Sequence, residues 1–162
     1  YSITTGESYD SLILQRRTAA KLPTTYYTCC TEGYPNTFSF SPPAEAAFIP
    51  LLSAKRKLSG YLRWAYNAWP SEPWKDARFG SWSSGDTYLV YPGPGSSIRF
   101  EQLIRGIQDF QRISLLRKAL KSSNDEAGLL KLNQALNECS VKNLKTRPAA
   151  ELVSSVEKVL NQ

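Results

Sequence analysis

Strand-like and helix-like stretches alternate along the first 120 residues, and this alternation constrains the fold more than any other feature. Tyr1 to Thr5 reads as a short strand. Ser8 is placed to cap a helix reaching about Lys21, with Tyr9, Leu12, Ile13 and Ala20 on one face and Pro23 as its stop. Thr24 to Cys30, rich in Thr and Tyr, reads as a second strand, followed by the turn formers Glu32-Gly33-Tyr34-Pro35-Asn36. Ser41 with Pro42 just inside starts a second helix, whose buried stripe is Ala44, Ala47, Phe48, Leu51, Leu52 and Leu58. Pro50 lies within it and predicts a kink, because the amide hydrogen is missing and the ring crowds the preceding turn. Gly60 to Trp69 forms a third strand, a long loop spans Pro70 to Gly85, and Asp86 to Tyr91 forms a fourth strand. Pro92-Gly93-Pro94-Gly95-Ser96-Ser97 then leads into the clearest helix, about Ile98 to Leu120. There Phe100, Leu103, Ile104, Ile107 and Phe110 recur at helical spacing, and Ile113, Leu116 and Leu120 continue the face.

Strands alternating with helices predict a parallel α/β sheet. Four such steps are half of an eight-stranded barrel, which when complete takes about 250 residues and carries its functional groups at the carboxyl ends of its strands. The last forty or so residues add two amphipathic helices, about Asp125 to Cys139 and about Pro148 to Leu160. The expected organisation is a partial (β/α) barrel over residues 1–121, with a helical tail over 122–162 packed on the same domain. Nothing repeats, and no linker separates a second domain. Four strands leave two open sheet edges, so the rest of a barrel or a second copy of the chain is an expected partner.

Composition removes several functions. The 162 residues are 41% apolar and 21% charged, as in soluble globular proteins. No apolar run approaches the roughly 18 residues of a spanning helix, and no leader pattern opens the chain. Beginning at Tyr1 and lacking methionine, the sequence is expected to be a piece of a longer protein. The net charge of +6 comes from basic residues spread over the helices, such as Arg16-Arg17, Lys55-Arg56-Lys57 and Arg117-Lys118. With no recognisable nucleic-acid motif around them, they read as solvated surface rather than as a nucleic-acid interface. Histidine is absent, which excludes Ser-His-Asp and Cys-His catalysis and any imidazole ligand. Cys29 and Cys30 are adjacent and Cys139 is remote, so no metal or cofactor is expected, and two reduced thiols facing opposite ways stand against a strained vicinal disulfide.

The predicted rim comprises Thr5 to Glu7, Thr31 to Tyr34, Asn67 to Trp82 and Pro92 to Ser97. Tyr34, Trp69, Trp74, Phe79 and Trp82 gather there. Rings pack on the C–H faces of sugars, and fixed polar groups bond the hydroxyls, so such a rim suits carbohydrate. In the third strand, alternation puts Tyr61, Arg63, Ala65, Asn67 and Trp69 on one face and Leu62, Trp64, Tyr66 and Ala68 on the other. Trp69 and Trp82 are candidates to stack on a sugar ring, against loop packing. Asn67 either bonds a hydroxyl or caps the strand end. Tyr66 falls on the face opposite Asn67, so only one of the two is expected to point inward unless a bulge intervenes. Asp76 and Glu32 are rim carboxylates that either bind hydroxyls or are simply solvated. Arg63 reads as a buried structural cation paired with a carboxylate, and Asp86, at a strand start, as structural. Gly93 to Ser97 lacks the lysine and spacing of a nucleotide loop and reads as a turn plus cap.

Thr25-Tyr26-Tyr27-Thr28-Cys29-Cys30, Pro35-Asn36-Thr37-Phe38, Phe40-Ser41-Pro42-Pro43-Ala44-Glu45-Ala46, Gly60-Tyr61-Leu62-Arg63-Trp64-Ala65-Tyr66-Asn67, Gly85-Asp86-Thr87-Tyr88-Leu89-Val90-Tyr91-Pro92-Gly93 and Ser97-Ile98-Arg99-Phe100-Glu101 follow one another along the chain. In that order they resemble the C-terminal part of glycoside hydrolase family 123 and its bacterial relatives. The likeness is most specific over residues 24 to 117. It implies the C-terminal half of a TIM-like barrel from a retaining β-N-acetylhexosaminidase acting on β-linked N-acetylgalactosamine, secreted or periplasmic in a bacterium. In such enzymes the substrate's acetamido group is the nucleophile, one carboxylic acid protonates the leaving oxygen, and a neighbouring carboxylate orients the acetamide. The resemblance places that adjacent Asp-Glu pair upstream of this segment. Asp125-Glu126 is the one adjacent Asp-Glu here, and it opens a tail helix, where capping explains it. The chain is therefore expected to hold a wall of a sugar pocket without the acid, with a noncatalytic carbohydrate-binding domain or a self-associating half-barrel as the alternatives.

Overall fold

The computed structural model of the chain describes residues 2–3 and 10–162. Ser8 and the rim segment Thr5 to Glu7 lie outside the described residues. A three-stranded parallel sheet runs in the order β1 (Ser2–Ile3), β2 (Thr25–Thr28), β3 (Gly60–Arg63). The parallel α/β class follows from it, but the segment from Asp86 to Tyr91 is not a fourth strand. That segment consists of turns with a single antiparallel bridge, Asn67 to Tyr88, and β3 ends at Arg63 rather than Trp69.

Helix α1 (Ser11–Ala19) starts at Asp10, whose carboxylate accepts from the Leu12 and Ile13 amides at 2.8 and 3.3 Å. Its far end is pinned to the start of β2, with Arg17 donating to Thr24 Oγ1 and to the Pro23 carbonyl. The face read as buried is not: Leu12 and Ile13 are exposed. Helix α2 (Ala44–Lys55) is buried on all sides from Glu45 to Ala54, which a helix apolar all round requires. Ser41 does not cap it. Instead the carbonyls of Pro42 and Pro43 accept from Glu45 and Ala46, so backbone closes the first turn. Pro50 lies inside α2 without ending it.

Helix α3 (Ile98–Ser122) begins as its sequence predicts, with Ser97 Oγ accepting from the Phe100 amide at 3.1 Å. Gly106 lets α3 lie against the α2 backbone, because a methyl group there would run into the Ala47 carbonyl. Helices α4 (Glu126–Asn137) and α6 (Ala149–Leu160) follow, separated by a single-turn α5 (Val141–Leu144) that the sequence pattern does not reveal. Phe48, Leu51, Leu52, Ile113, Leu136, Leu152 and Val156 form one continuous core with Tyr26 of β2. Arg105 of α3 grips Glu157 of α6 through two 2.6 Å bonds.

All of this helical mass lies on one side of the sheet. The register sets Tyr26 beside Tyr61 and Thr28 beside Arg63, and Tyr26 and Thr28 are buried on the helix side. Leu62 therefore faces the other way and is 49% exposed. A parallel sheet normally has both faces covered, and this one has a face open among the described residues.

Candidate functional site

The carboxyl ends of β2 and β3 meet over a buried cation. Arg63 donates to Thr28 Oγ1 at 3.1 Å, to Asn36 Oδ1 at 3.0 Å and to the Asp86 carbonyl at 3.0 Å, and it pairs with the Asp86 carboxylate at 2.5 Å. Both partners are nearly sealed from solvent, with side chains 4% and 0% exposed. The reading of Arg63 as a structural cation thus has its carboxylate. Burial pushes the Asp86 carboxyl above its usual range while Arg63 pulls it back. Asp86 sits under the rim loops rather than at the foot of a strand, because the 86–91 segment folds back over the end of β3.

Asn36 braces the loop after β2. Its amide nitrogen donates to the carbonyls of Cys29 and Glu32 at 2.7 and 2.6 Å, its Oδ1 accepts from the Thr37 amide, and its own backbone N–H donates to Glu45 at 2.8 Å. Burial raises the Glu45 carboxyl, and that N–H opposes the rise. The loops are fastened a second time by Arg99, which leaves the first turn of α3 and donates to the carbonyls of Thr37 and Gly85 at 2.5 and 2.7 Å. Its guanidinium lies 5.3 Å from the centroid of the Tyr88 ring, and burial lowers its pKa. Gly85, with φ of +76°, leaves no room for a side chain against Arg99 and the Ser39 amide.

Aromatic rings stand on this frame. Trp64, the first residue past β3 on its open side, meets Trp82 with centroids 5.1 Å apart and planes tilted by 46°, and both are 42% exposed. Phe79 is bridged to Trp82 through the backbone, and Phe38 stacks on exposed Phe40 at 5.0 Å. A tilted pair of half-exposed indoles above a polar, rigid base offers a sugar both C–H contact and hydrogen-bonding neighbours.

The six candidate residues do not form one cluster. Trp82 joins Trp64, which sequence reasoning left out. Trp69 donates its indole N–H to the Val90 carbonyl at 2.7 Å, Asn67 is bridged to Tyr88, and Tyr66 sets its ring edgewise on Phe100 at 5.7 Å. Trp69 and Asn67 therefore clamp the 86–91 segment and Tyr66 leans on α3, while all three keep exposed surface. Asp76 is chelated by Arg78 through contacts of 2.6 to 3.0 Å, and those hydrogen bonds hold its carboxyl down to about 2. Glu32 is buried, with Oε2 accepting from the Cys29 amide at 2.9 Å and Oε1 without a protein partner. Trp64 was findable: once Tyr26 is assigned to the helix side, register and alternation send Trp64 to the open side.

Asp125 caps α4 by accepting from the Gly128 amide at 2.9 Å, and Glu126 sits in that helix's first turn, as the capping explanation requires. The three cysteines are unpaired, and among the described residues no three Cys, Asp or Glu side chains gather as a metal-binding set. No helix among the described residues is long and apolar enough to cross a membrane.

The fold and rim define a parallel α/β domain with aromatic side chains at the carboxyl ends of its strands. Residues 1–116 match the family model for the catalytic domain of glycoside hydrolase 123, so the chain belongs to glycoside hydrolase family 123. A solved structure of a family 123 glycoside hydrolase from Clostridium perfringens, described in terms of glycolipid glycan hydrolysis, superposes with a TM-score of 0.74 over 99% of this chain at 23% identity. At that identity the likeness speaks for the fold. This chain spans 31% of that protein's chain. No curated protein matches it.

Proposed function

We propose that this chain supplies one wall of the sugar-binding pocket of a family 123 glycoside hydrolase, as the C-terminal part of a TIM-like barrel. The substrate class is a glycan ending in a β-linked N-acetylhexosamine of the galactosamine type. The catalytic Asp-Glu pair belongs to the remainder of the enzyme, where the acid protonates the leaving oxygen and the second carboxylate orients the substrate's acetamide. The observation that carries this reading is the Trp64–Trp82 pair at the carboxyl end of β3, seated on the Arg63–Asp86 ion pair. Carboxyl ends of barrel strands are where such folds place chemistry. Family membership and a glycolipid-glycan hydrolase of like fold support the glycan as ligand.

Trp64 and Trp82 supply flat apolar faces, Asn67, exposed at the rim, offers a hydroxyl a polar partner, and Arg63 holds the floor without touching substrate. Hydrolysis of a nitrophenyl N-acetylgalactosaminide should be seen with the whole enzyme and not with this chain alone. In the whole enzyme, Trp64→Ala or Trp82→Ala should lower kcat/KM by about tenfold, the loss of one stacking contact. Unchanged kinetics in both variants would remove the indole pair from the pocket.

A further inference from the structure

The basic runs Lys55-Arg56-Lys57 and Arg117-Lys118, remote in sequence, meet at the amino ends of β2 and β3, opposite the rim. Arg56 is buried against the Tyr26 ring at 5.3 Å, and the other four cations line hollows in the surface. A hollow of about 410 Å³ is walled by Lys57, Ser114, Arg117, Lys118 and Lys121 over the buried side chains of Leu58 and Ile113. Lys57 also lines two smaller hollows, one of about 300 Å³ with Thr18, Lys21 and Ser59, the other of about 320 Å³ with Lys55, Asn133 and Asn137. No aspartate or glutamate lines any of the three. Among the described residues, none of these six cations has an ion pair, whereas Arg63, Lys75, Arg78, Arg105, Arg112 and Arg147 each have a carboxylate partner. The six equal the chain's whole formal excess of +6, so the rest of the chain is neutral overall.

Helix dipoles explain part of this, since Lys21, Lys57 and Lys121 lie at the carboxyl ends of α1, α2 and α3. One cation at each end meets that demand, and six exceed it. Lys21 and Lys57 also sit in left-handed backbone, with φ of +54° and +56°, which glycine adopts without strain. Arg117 is half-buried and held in place, with Nη1 donating to the Ala54 carbonyl at 2.8 Å. Among the described residues its other N–H groups have no acceptor, and burial lowers its pKa with no carboxylate to oppose the shift. We propose that this surface binds a compact polyanion, a small molecule carrying two or more phosphate or sulfate groups. One group enters the largest hollow between Arg117 and the ammonium groups of Lys57, Lys118 and Lys121, and a second reaches past Lys57 toward Lys21 or Lys55. Cations gathered around an acid-free hollow concentrate anions there, and charged hydrogen bonds to phosphate or sulfate oxygens are short and strong. A compact ligand fits better than a flat anionic surface, because half-buried Arg117 lies within a hollow and Lys57 joins all three.

The test is a calorimetric titration of the whole enzyme with inorganic triphosphate, without sugar. Saturable binding is expected with a Kd of about 10 μM at about 50 mM salt, weakening by about tenfold or more at about 300 mM salt. Lys57→Gly relieves the left-handed strain, so thermal stability should hold or rise while affinity falls by about tenfold. Lys118→Gln should lower affinity by about fivefold or more, whereas Lys158→Gln, exposed on α6 and outside the hollows, should leave it unchanged. Sucrose octasulfate in place of triphosphate separates the two sources: tighter binding marks sulfate esters, and weaker binding marks phosphates. The site is refuted if neither anion binds saturably, if affinity is indifferent to both Lys57→Gly and Lys118→Gln, or if the enzyme adsorbs to phosphatidylserine vesicles while binding neither anion. The site lies at the end of the sheet away from the indole pair, so failure of the sugar-pocket reading leaves this result untouched.

Discussion

The two faces of the small sheet have opposite characters. On the helix side, Tyr26 and Thr28 are sealed, and Arg63 spends its hydrogen bonds within the protein. On the open side, Leu62 and Trp64 stand half exposed at positions only one residue away in the chain. Composition does not distinguish them, since both carry large apolar side chains. The difference lies in what covers them: helices of this chain pack on one face, and the other is open among the described residues.

The largest effect is expected on the covered side. Phe48→Ala, in the middle of fully buried α2, should cost about 3–5 kcal/mol in denaturant unfolding, from lost transfer energy plus a cavity. Leu62→Ala in the isolated chain should cost well below about 1 kcal/mol, and a larger loss there would show that the open face is already packed.

Arg63→Met comes next, at about 3 kcal/mol, because it strands the Asp86 carboxylate away from water. This loss should be pH dependent. A carboxyl whose pKa is raised by folding binds more protons in the folded state, so stability falls as pH rises from its unfolded value through its folded one. With Arg63 gone the rise is greater, and the deficit of the variant should be smaller at about pH 4 than at about pH 7. An equal deficit at both would show that Asp86 is solvated.

The smallest effect belongs to the rim's exposed pair. Asp76 should titrate by NMR near the value of about 2, and Arg78→Ala should return it toward the ordinary carboxylate range. The sign follows from the depressed pKa: the pairing is present above the unfolded value and is lost as pH falls toward 2. Being exposed, the pair should scarcely alter unfolding.

The helix from Ile98 was legible because its signals are local, a serine cap followed by an apolar stripe. The parallel order of strands was legible from their alternation with helices. The fourth strand was not, although Thr87-Tyr88-Leu89-Val90-Tyr91 has the composition of one. Its residues are committed to contacts that no short window records: Asp86 to Arg63, Thr87 Oγ1 to the Ala68 carbonyl, and Tyr88 beneath Arg99. β-propensity yields to such packing. The candidate site was half legible for a similar reason. Trp82 was found as a rim aromatic, but its partner Trp64 could be chosen only after the sheet had an inside. For Trp69 the sequence leaves open stacking on a ligand or loop packing, and its indole hydrogen bond to Val90 lies in the loop. The Tyr66 ring meets Phe100 of α3, and a short window records neither contact.

Arg99 gives the rim one more property. A single guanidinium holds the Thr37 and Gly85 carbonyls and lies against Tyr88, so the loop after β2 and the segment from Gly85 to Tyr88 share one fastening on the rigid first turn of α3. Loops tethered at a common point do not fluctuate independently. The walls that carry Phe40 and Trp82 are thus ordered before any binding event, and less conformational entropy is lost in one. A lysine in place of Arg99 would offer one point charge instead of a planar fork, and the two loops would loosen together rather than one at a time.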